Sequence, residues 1–314
     1  MDLSVIIVNW NTKKLLEDCL SSVYKYTKVK DPSRVKLGQD DSGGEKGISF
    51  EVIVVDNGSK DGSGEMVKKK FPQVKLIPNK DNLGFTRANN QGIKVAKRKY
   101  ILLLNSDTYL IENSFKKLLE KAKSLPNLGA LGPQLLNENR SIQQSVGFFP
   151  HLPQVFWWMS AIDDLPAGEV LKPYHVDHDS FYSKDQEVDW VTAAAILVPR
   201  HVIRKIGGLD ENIFMYGEEV DWCYRIKRAN FKVFYSPATK IVHIGRGSTG
   251  QVSKNAILGE YKGIKYFYAK HKSGLSLQLL RLLLKIGALA RIVAFGVLGR
   301  KEIAKFYVEA FRVA

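Results

Sequence analysis

The run LSVIIVNWN at residues 3–11 decides the fold of this chain. Its first six residues form a short, continuous and largely β-branched apolar segment, which is typical of a strand buried on both faces of a parallel sheet. Polar residues from Asn9 to Thr12 end the segment, with Thr12 as the predicted N-cap of a helix from Lys13 to about Tyr26. A strand that leads directly into a helix is the first unit of an α/β fold.

The same alternation continues through the first 125 residues, with short polar links between segments. It predicts an α/β domain with a largely parallel central sheet. Residues 28–49 are polar and rich in Gly, Asp, Ser and Lys, so we expect a flexible insertion there. Residues 130–187 show no regular pattern. Strands are predicted at residues 3–8, 52–55, 74–77, 100–104, 188–198, 231–235 and 241–244.

The charge of the chain is uneven. The 314 residues carry a net charge of +15, and residues 254–314 hold twelve basic residues against three acidic ones. A basic segment favours an anionic partner such as a membrane surface, a nucleic acid or a phosphate-bearing substrate. Nucleic acid is disfavoured, because leucines dilute the basic residues and no stacking aromatics lie among them.

Residues 275–298 combine many Leu, Ile and Val residues with a few basic ones. This pattern predicts an amphipathic helix that lies on a membrane surface or, alternatively, packs on the main domain or a second copy. No stretch holds about 20 uninterrupted apolar residues, so no spanning helix is expected. The first apolar run is too short for a signal peptide. Cys19 and Cys223 predict reduced, packed thiols and a cytoplasmic protein without disulfides.

Three predicted strands end in polar residues: Asn9, Asp56 and Asp107. Because ligands of such sheets bind beyond the carboxyl ends of the strands, these residues predict a nucleotide site. One such Asp could simply begin a turn, but three in succession favour a ligand. Neither a Walker P-loop nor a Rossmann glycine fingerprint after the first strand is present.

Residues 207–225 hold five carboxylates within twelve residues, among glycines and aromatics. The first half predicts a loop, and the half from Glu218 onward predicts a helix in which Asp221 pairs with Arg225. Carboxylates at such a junction suit a general base, although acids also favour helix N-termini for electrostatic reasons. Two further features have two readings each. His243 is a strand histidine or a metal ligand, and the aromatics near Trp158 line a sugar site or the core.

In this order the motifs resemble the inverting family 2 glycosyltransferases of GT-A fold, especially their bacterial rhamnosyltransferase-like branch. The GT-A fold is Rossmann-like with a mostly parallel central sheet, and amphipathic helices are expected after it. The resemblance covers about residues 3–250. It rests on residues 4–11, 54–59, 82–89, 104–107, 207–211, 216–221 and His243.

The resemblance implies a donor site and a metal site. Asp56 would hold the pyrimidine base, and Asp107 and His243 would bind Mg²⁺ or Mn²⁺. Asn105 stands where the family usually has the first Asp of its Asp-x-Asp motif, which leaves it a sugar or ribose contact. The nucleotide pocket would be completed by Val8, Asn9, Asn82, Gly84 and Asn89.

It also implies a catalytic base. Glu219 aligns with the family's base, which is usually an Asp, and Glu218 is the second candidate. Glu218 and Asp221 would raise the pKa of Glu219 by like-charge proximity. Asp210 would contact the acceptor.

The expected protein is an inverting, metal-dependent glycosyltransferase with a catalytic domain at 1–250 and a basic helical extension at 251–314. It would move a sugar from a dTDP- or UDP-sugar to a surface-polysaccharide or lipid-linked acceptor on the inner face of the cell membrane. The resemblance to the rhamnosyltransferase-like branch implies L-rhamnose as that sugar. The sequence leaves open whether the protein forms a homo-oligomer. The alternatives are a sugar-nucleotide nucleotidyltransferase and a non-catalytic nucleotide-sugar-binding membrane protein.

Overall fold

The computed structural model describes residues 3–27, 47–160, 173–245 and 253–314. Most of the predicted insertion at 28–49, and the predicted domain boundary at 250, lie outside these ranges. The first half alternates strands and helices as predicted. Its elements are β1 (Leu3–Asn9), α1 (Lys13–Tyr26), β2 (Phe50–Asp56), α2 (Ser63–Lys70), β3 (Lys75–Pro78), α3 (Phe85–Val95), β4 (Tyr100–Leu104), β5 (Thr108–Leu110) and α4 (Ser114–Ser124).

Within the described ranges, the second half contains seven strands and six helices, and the last three helices form its C-terminal end. A 3₁₀ turn covers Asp179–Ser183. The elements are β6 (Leu128–Leu136), β7 (Ile142–Gln143), β8 (Val146–Gly147), α5 (Leu152–Ser160), β9 (Gln186–Val188), β10 (Trp190–Val191), β11 (Ala195–Pro199), α6 (Arg200–Ile206), α7 (Glu218–Arg228), β12 (Lys232–His243), α8 (Lys254–His271), α9 (Gly274–Val297) and α10 (Lys301–Val313).

The central sheet is mostly parallel, as predicted. Its main path runs β3-β2-β1-β4-β11-β6-β12-β5, and β7 and β9 add to β6 and β12. β1 pairs in parallel with β2 and β4, and β6 pairs in parallel with β12. β11 runs antiparallel between β4 and β6. The carboxyl ends of β1, β2 and β4 therefore meet at one edge.

The core lies on both faces of this sheet. Along β1, Val5 and Ile7 pack with residues of α1, α2 and α4, whereas Ile6 packs on the opposite face with residues of α3 and α7. All three side chains are fully buried, and each contributes roughly 1.5–3 kcal/mol to folding. Both cysteines are buried, and burial raises the pKa of each thiol to about 12, as expected for packed thiols.

The structure corrects four local predictions. β6 lies in the region that had shown no pattern. The predicted strand at 188–198 breaks into β10 and β11, because the Thr192 amide bonds to Ser145 and the Ala194 carbonyl accepts from Asn105. The segments at 231–235 and 241–244 form one bulged strand, β12. Finally, the Thr12 side chain does not cap α1 and donates to Asn9 Oδ1 at 2.6 Å.

Candidate active site

Two of the three polar strand ends, Asn9 and Asp56, lie side by side. Asn9 and Asp56 are opposite one another in the β1–β2 pairing, and Asn9 Nδ2 lies 3.4 Å from Asp56 Oδ1. Thr12 joins this pair to the end of β4, since its Oγ1 lies 3.1 Å from Ser106 Oγ. Asp56 is 7% exposed and Asn9 is 1% exposed. A buried carboxylate at this edge is suited to accept hydrogen bonds from a bound base.

A network around Asn57 shapes the segment before α3. The side-chain Nδ2 of Asn57 donates to Asn82 Oδ1 at 2.8 Å and to the Gly84 carbonyl at 3.2 Å. The Asn82 side chain in turn accepts from the Gly84 amide at 2.9 Å. Asn89 is buried one turn into α3, where it bonds to the Phe85 carbonyl, and Val8 is half-buried on β1. Sequence analysis did not single out Asn57, which holds this loop in place.

The start of α3 also contacts the loop half of the acidic stretch. The Phe85 amide donates to the Phe214 carbonyl at 2.8 Å, and Thr86 Oγ1 donates to the Ile213 carbonyl at 2.5 Å. A Cβ on Gly84 would lie 2.7 Å from the Phe214 ring. These contacts place the acidic stretch beside the predicted nucleotide pocket.

Asp107 and His243 form a pair at the end of β12. Asp107 Oδ1 and His243 Nε2 are 3.2 Å apart, and Asn105 Nδ2 lies 3.4 Å from the same imidazole nitrogen. Burial opposes ionisation of Asp107, but the hydrogen bond and charge of His243 outweigh it and hold the pKa of Asp107 below its ordinary value. The strand register brings His243 close to Asp107, because His243 lies opposite Thr108 in the β5–β12 pairing.

The donor set fits a divalent cation. Gln143 Oε1 can only accept, so at 2.7 Å from His243 Nδ1 it fixes the proton on that nitrogen. His243 Nε2 and Asp107 Oδ1 are then two electron-rich atoms that need a proton or a cation between them. Two ligands at about 2.1 Å from an octahedral ion lie about 3 Å apart. Within the described ranges no cluster of three or more His, Cys, Asp or Glu is suited to a metal, so this pair would be the protein's share of the shell.

Residues 216–219, named here the acid turn, begin α7. Tyr216 has a φ of +73° and Gly217 a φ of +90°, a conformation that glycine adopts easily and tyrosine rarely. In this turn the Oε2 atoms of Glu218 and Glu219 are buried and have no hydrogen-bond partner among the described residues. Burying a carboxylate oxygen without a hydrogen-bond partner costs folding free energy. The partial positive charge of the helix N-terminus offsets part of this cost.

Burial raises the pKa of both acids of the turn. The charge of Glu219 adds to the shift of Glu218, and the charge of Glu260 adds to that of Glu219. The predicted direction for Glu219 is therefore confirmed, but its main cause is desolvation. A carboxylate whose pKa is raised by burial holds a proton up to a higher pH than an exposed carboxylate does.

Residues 4–145 match the protein-family model of glycosyl transferase family 2. The chain therefore carries a family 2 glycosyltransferase domain over this segment. Over 242 residues it is 28% identical to the N-acetylglucosaminyl-diphospho-decaprenol L-rhamnosyltransferase of Mycobacterium tuberculosis, and the match covers 71% of this chain and 76% of that protein. It is 27% identical over 168 residues to the rhamnosyltransferase WbbL of Escherichia coli K12, with 51% and 60% covered.

Two solved glycosyltransferase structures share the fold. One is the mannosyltransferase PcManGT from Pyrobaculum calidifontis in complex with GDP-Man and Mn²⁺, with a TM-score of 0.57, 14% identity and coverage of 98% of this chain and 85% of that one. The other is GalNAc-T7 with UDP, GalNAc and Mn²⁺, with a TM-score of 0.56, 17% identity and coverage of 86% and 50%. The glycosyltransferase therefore has the predicted GT-A architecture, with helices at its C-terminal end.

The other acids of the stretch are bound to cations in this glycosyltransferase. Asp210 accepts from Lys270 at 2.6 Å and from Tyr266 at 2.7 Å. Asp221 is fully buried and pairs with Arg225 at 2.8 Å, as predicted. Two polar residues near the candidate site, His175 and Glu260, were not predicted from the sequence, because neither lies within a motif.

Proposed function

We propose that this glycosyltransferase moves a hexose, with L-rhamnose the first candidate, from a dTDP- or UDP-sugar to a hydroxyl of a lipid-linked or polysaccharide glycan. The observation that carries the proposal is the partly buried acid turn beside the edge of the sheet where β1 and β2 end. The Phe85–Phe214 hydrogen bond joins the two regions. The names of the two rhamnosyltransferase relatives support the donor sugar and, in the mycobacterial case, a lipid-linked acceptor.

In the donor site, Asp56 would accept hydrogen bonds from the pyrimidine base. Val8, Asn9, Asn82, Gly84 and Asn89 would form the walls, and Asn105 would contact the ribose or the sugar. Asp107 and His243 would hold Mg²⁺ or Mn²⁺ through one oxygen and one nitrogen. When bound, such an ion neutralises the charge that develops on the leaving diphosphate.

Glu219 is the proposed base, with Glu218 second. Its carboxylate would take the proton of the acceptor hydroxyl as that oxygen attacks the anomeric carbon. The bond from this carbon to the diphosphate oxygen breaks in the same displacement, so the configuration inverts and the nucleoside diphosphate leaves. Asp210 is already bound by Lys270 and Tyr266, so we assign it a positioning role for the loop that carries Phe214.

The test is a panel of dTDP-, UDP- and GDP-sugars with Mn²⁺ or Mg²⁺, read by thermal shift and by release of the nucleoside diphosphate. One pyrimidine donor should bind and turn over, and a chelator should stop turnover. Asp56→Ala should weaken nucleotide binding roughly tenfold or more, because a charge-assisted hydrogen bond is lost. Absence of binding and turnover across the panel would overturn the proposal.

The proposed site of action is the inner face of the cell membrane. Along α9 an exposed apolar row repeats every three or four residues, with Arg281 and Lys285 exposed beside it. Such a helix suits an anionic lipid surface, where a lipid-linked acceptor would also lie. No helix in the described ranges is long and apolar enough to cross a membrane. The row consists of Leu275, Leu279, Leu282, Ile286, Leu289 and Val293.

This location is tested with the full chain and vesicles of phosphatidylglycerol or phosphatidylcholine. The protein should sediment with the anionic vesicles, and the double variant Leu282→Gln, Ile286→Gln should remain in solution. Light scattering without lipid tests the alternative. If the parent is a dimer and the variant a monomer, with equal vesicle binding, the row is an interface between copies.

A further inference from the structure

The C-terminal helices reach the acid turn directly. α8 places Gly259 and Gly263, one helical turn apart, against Tyr216. A Cβ on Gly263 would lie 2.6 Å from the Tyr216 carbonyl oxygen, and one on Gly259 would lie 2.2 Å from its ring. Larger residues would therefore push α8 away from the turn that carries Glu219.

Glu260, beside the first of these glycines, pairs with His175 from the segment before β9. Glu260 Oε1 lies 2.7 Å from His175 Nε2, and the side chains are 29% and 39% exposed. The imidazole ring lies at steep angles to Tyr174 and Trp190, with centroids 4.4 Å and 5.4 Å away. Aromatic contacts and the carboxylate thus fix the orientation of this ring.

Both members of the pair act on Glu219. Burial raises the pKa of Glu219, the charge of His175 opposes this shift, and the weaker effect of Glu260 adds to it. Burial raises the pKa of Tyr174, and the charges of Glu260, Glu219 and Glu218 add to the shift, as expected if these groups share one pocket. The titratable groups that the described residues place around the Glu219 carboxyl are Glu218, Tyr174, His175, Cys223 and Glu260.

We infer that the helical extension is part of the active site, with Glu260 and His175 as positioning residues that keep Glu219 ready to accept a proton. The inference rests on the proposed role of Glu219 as base. A carboxylate beside an imidazole favours the imidazolium, and the imidazolium in turn favours an ionised neighbour. A general base must be ionised before it can act. The helical extension therefore contributes Glu260 to the active site, in addition to the exposed apolar row of α9.

His175→Gln is the first test, because glutamine can still bond to Glu260 but carries no charge. In kcat/KM against pH, the acidic limb should move to higher pH, so that activity at pH 6 falls several-fold more than activity at pH 8. An acidic limb that stays in place would overturn the inference. Circular dichroism confirms that the variant is folded.

Glu260→Gln tests the path from the extension. It should lower activity in the native background and have little or no cost in the His175→Gln background, because Glu260 acts through the imidazole. An equal cost in both backgrounds would mean a structural role only and would overturn the inference. Glu302→Gln, at an exposed ion pair with Lys305 in α10, is the matched control and should leave the pH profile unchanged.

A readout without turnover separates this inference from the proposed function. Carbon-13 NMR of glutamate-labelled protein can follow the Glu219 carboxyl, assigned by the signal that disappears in Glu219→Gln. His175→Gln should make that carboxyl titrate at higher pH. An inactive parent protein would count against the proposed function, whereas an unchanged titration would count against the pair.

Discussion

Two pairs of carboxylates lie within twelve residues of one another and meet opposite surroundings. Asp210 and Asp221 are bound by cations from α7 and α8, and in both cases these partners overcome the effect of burial and lower the pKa. Glu218 and Glu219 each bury an oxygen with no partner among the described residues, and burial raises their pKa. The two aspartates therefore hold the loop in place, whereas the two glutamates of the acid turn keep the capacity to take up a proton.

The largest expected effect is on turnover in Glu219→Gln. Loss of a general base should lower kcat by about 10²–10⁴-fold, while nucleotide-sugar affinity and folding stay close to those of the parent. Rapid-quench or steady-state assays measure kcat, and thermal shift measures binding. Full activity in this variant would break the comparison and move the role of base to Glu218.

Asp221→Ala, in contrast to Glu219→Gln, should act mainly by lowering the stability of the fold. Removing this fully buried partner takes the carboxylate away from Arg225 and His271, whereas Lys270 keeps its pairing with Asp210, and the loss costs about 3–5 kcal/mol of unfolding free energy. Denaturant unfolding of parent and variant measures it. Because the pKa of Asp221 is lowered, its contribution is present above about pH 3.8 and is lost as the pH falls through the folded value. A difference that persisted unchanged at pH 2 would contradict the ion-pair explanation.

Local patterns in the sequence were enough to predict one half of this comparison. The Asp221–Arg225 pair is one helical turn apart, and the start of α7 at Glu218 follows from composition and spacing. The strand ends at Asn9 and Asp56 were also predictable, because parallel strands bring their carboxyl ends to one edge. These features depend on neighbours in the chain or on a general rule of sheets.

The other half depends on contacts between distant segments. His175 and Glu260 are 85 residues apart, and no spacing rule joins them. β6 was missed because Gly129 and Gly132 interrupt its apolar pattern. Cβ atoms there would lie 2.3 Å from Ile226 and 2.8 Å from Val191, so packing against other elements requires the glycines. Desolvation of the acid turn has the same origin, since α8 comes from the far end of the chain.

Gly263→Ala tests the glutamate pair, because the added Cβ should displace α8 from the acid turn that carries Glu218 and Glu219. The added Cβ should cost about 1–3 kcal/mol of stability by overpacking and should lower kcat as well. Gly296→Ala in α9 is the matched control, because no atom lies within 4 Å of its Cβ and alanine favours a helix by up to about 1 kcal/mol. Thermal unfolding and kcat are measured for both. Equal effects of the two changes would show that α8 does not need close contact with the acid turn.

The smallest expected effect is the pH dependence of stability that Glu218 confers. Its pKa is raised in the folded state, so its stabilising contribution is complete below the unfolded value of about 4.5 and is lost as the pH rises through the folded value. Glu218→Gln removes this loss, and the variant should therefore gain stability over the parent between pH 5 and pH 8. Each pKa unit between the two states corresponds to about 1.4 kcal/mol, which sets the order of the gain. Urea unfolding at both pH values measures it, and Glu120→Gln on the exposed side of α4 is the control. A gain of the same size at both pH values would mean that the carboxyl is ionised throughout this range, as Asp221 is, and the contrast between the two pairs would then fail.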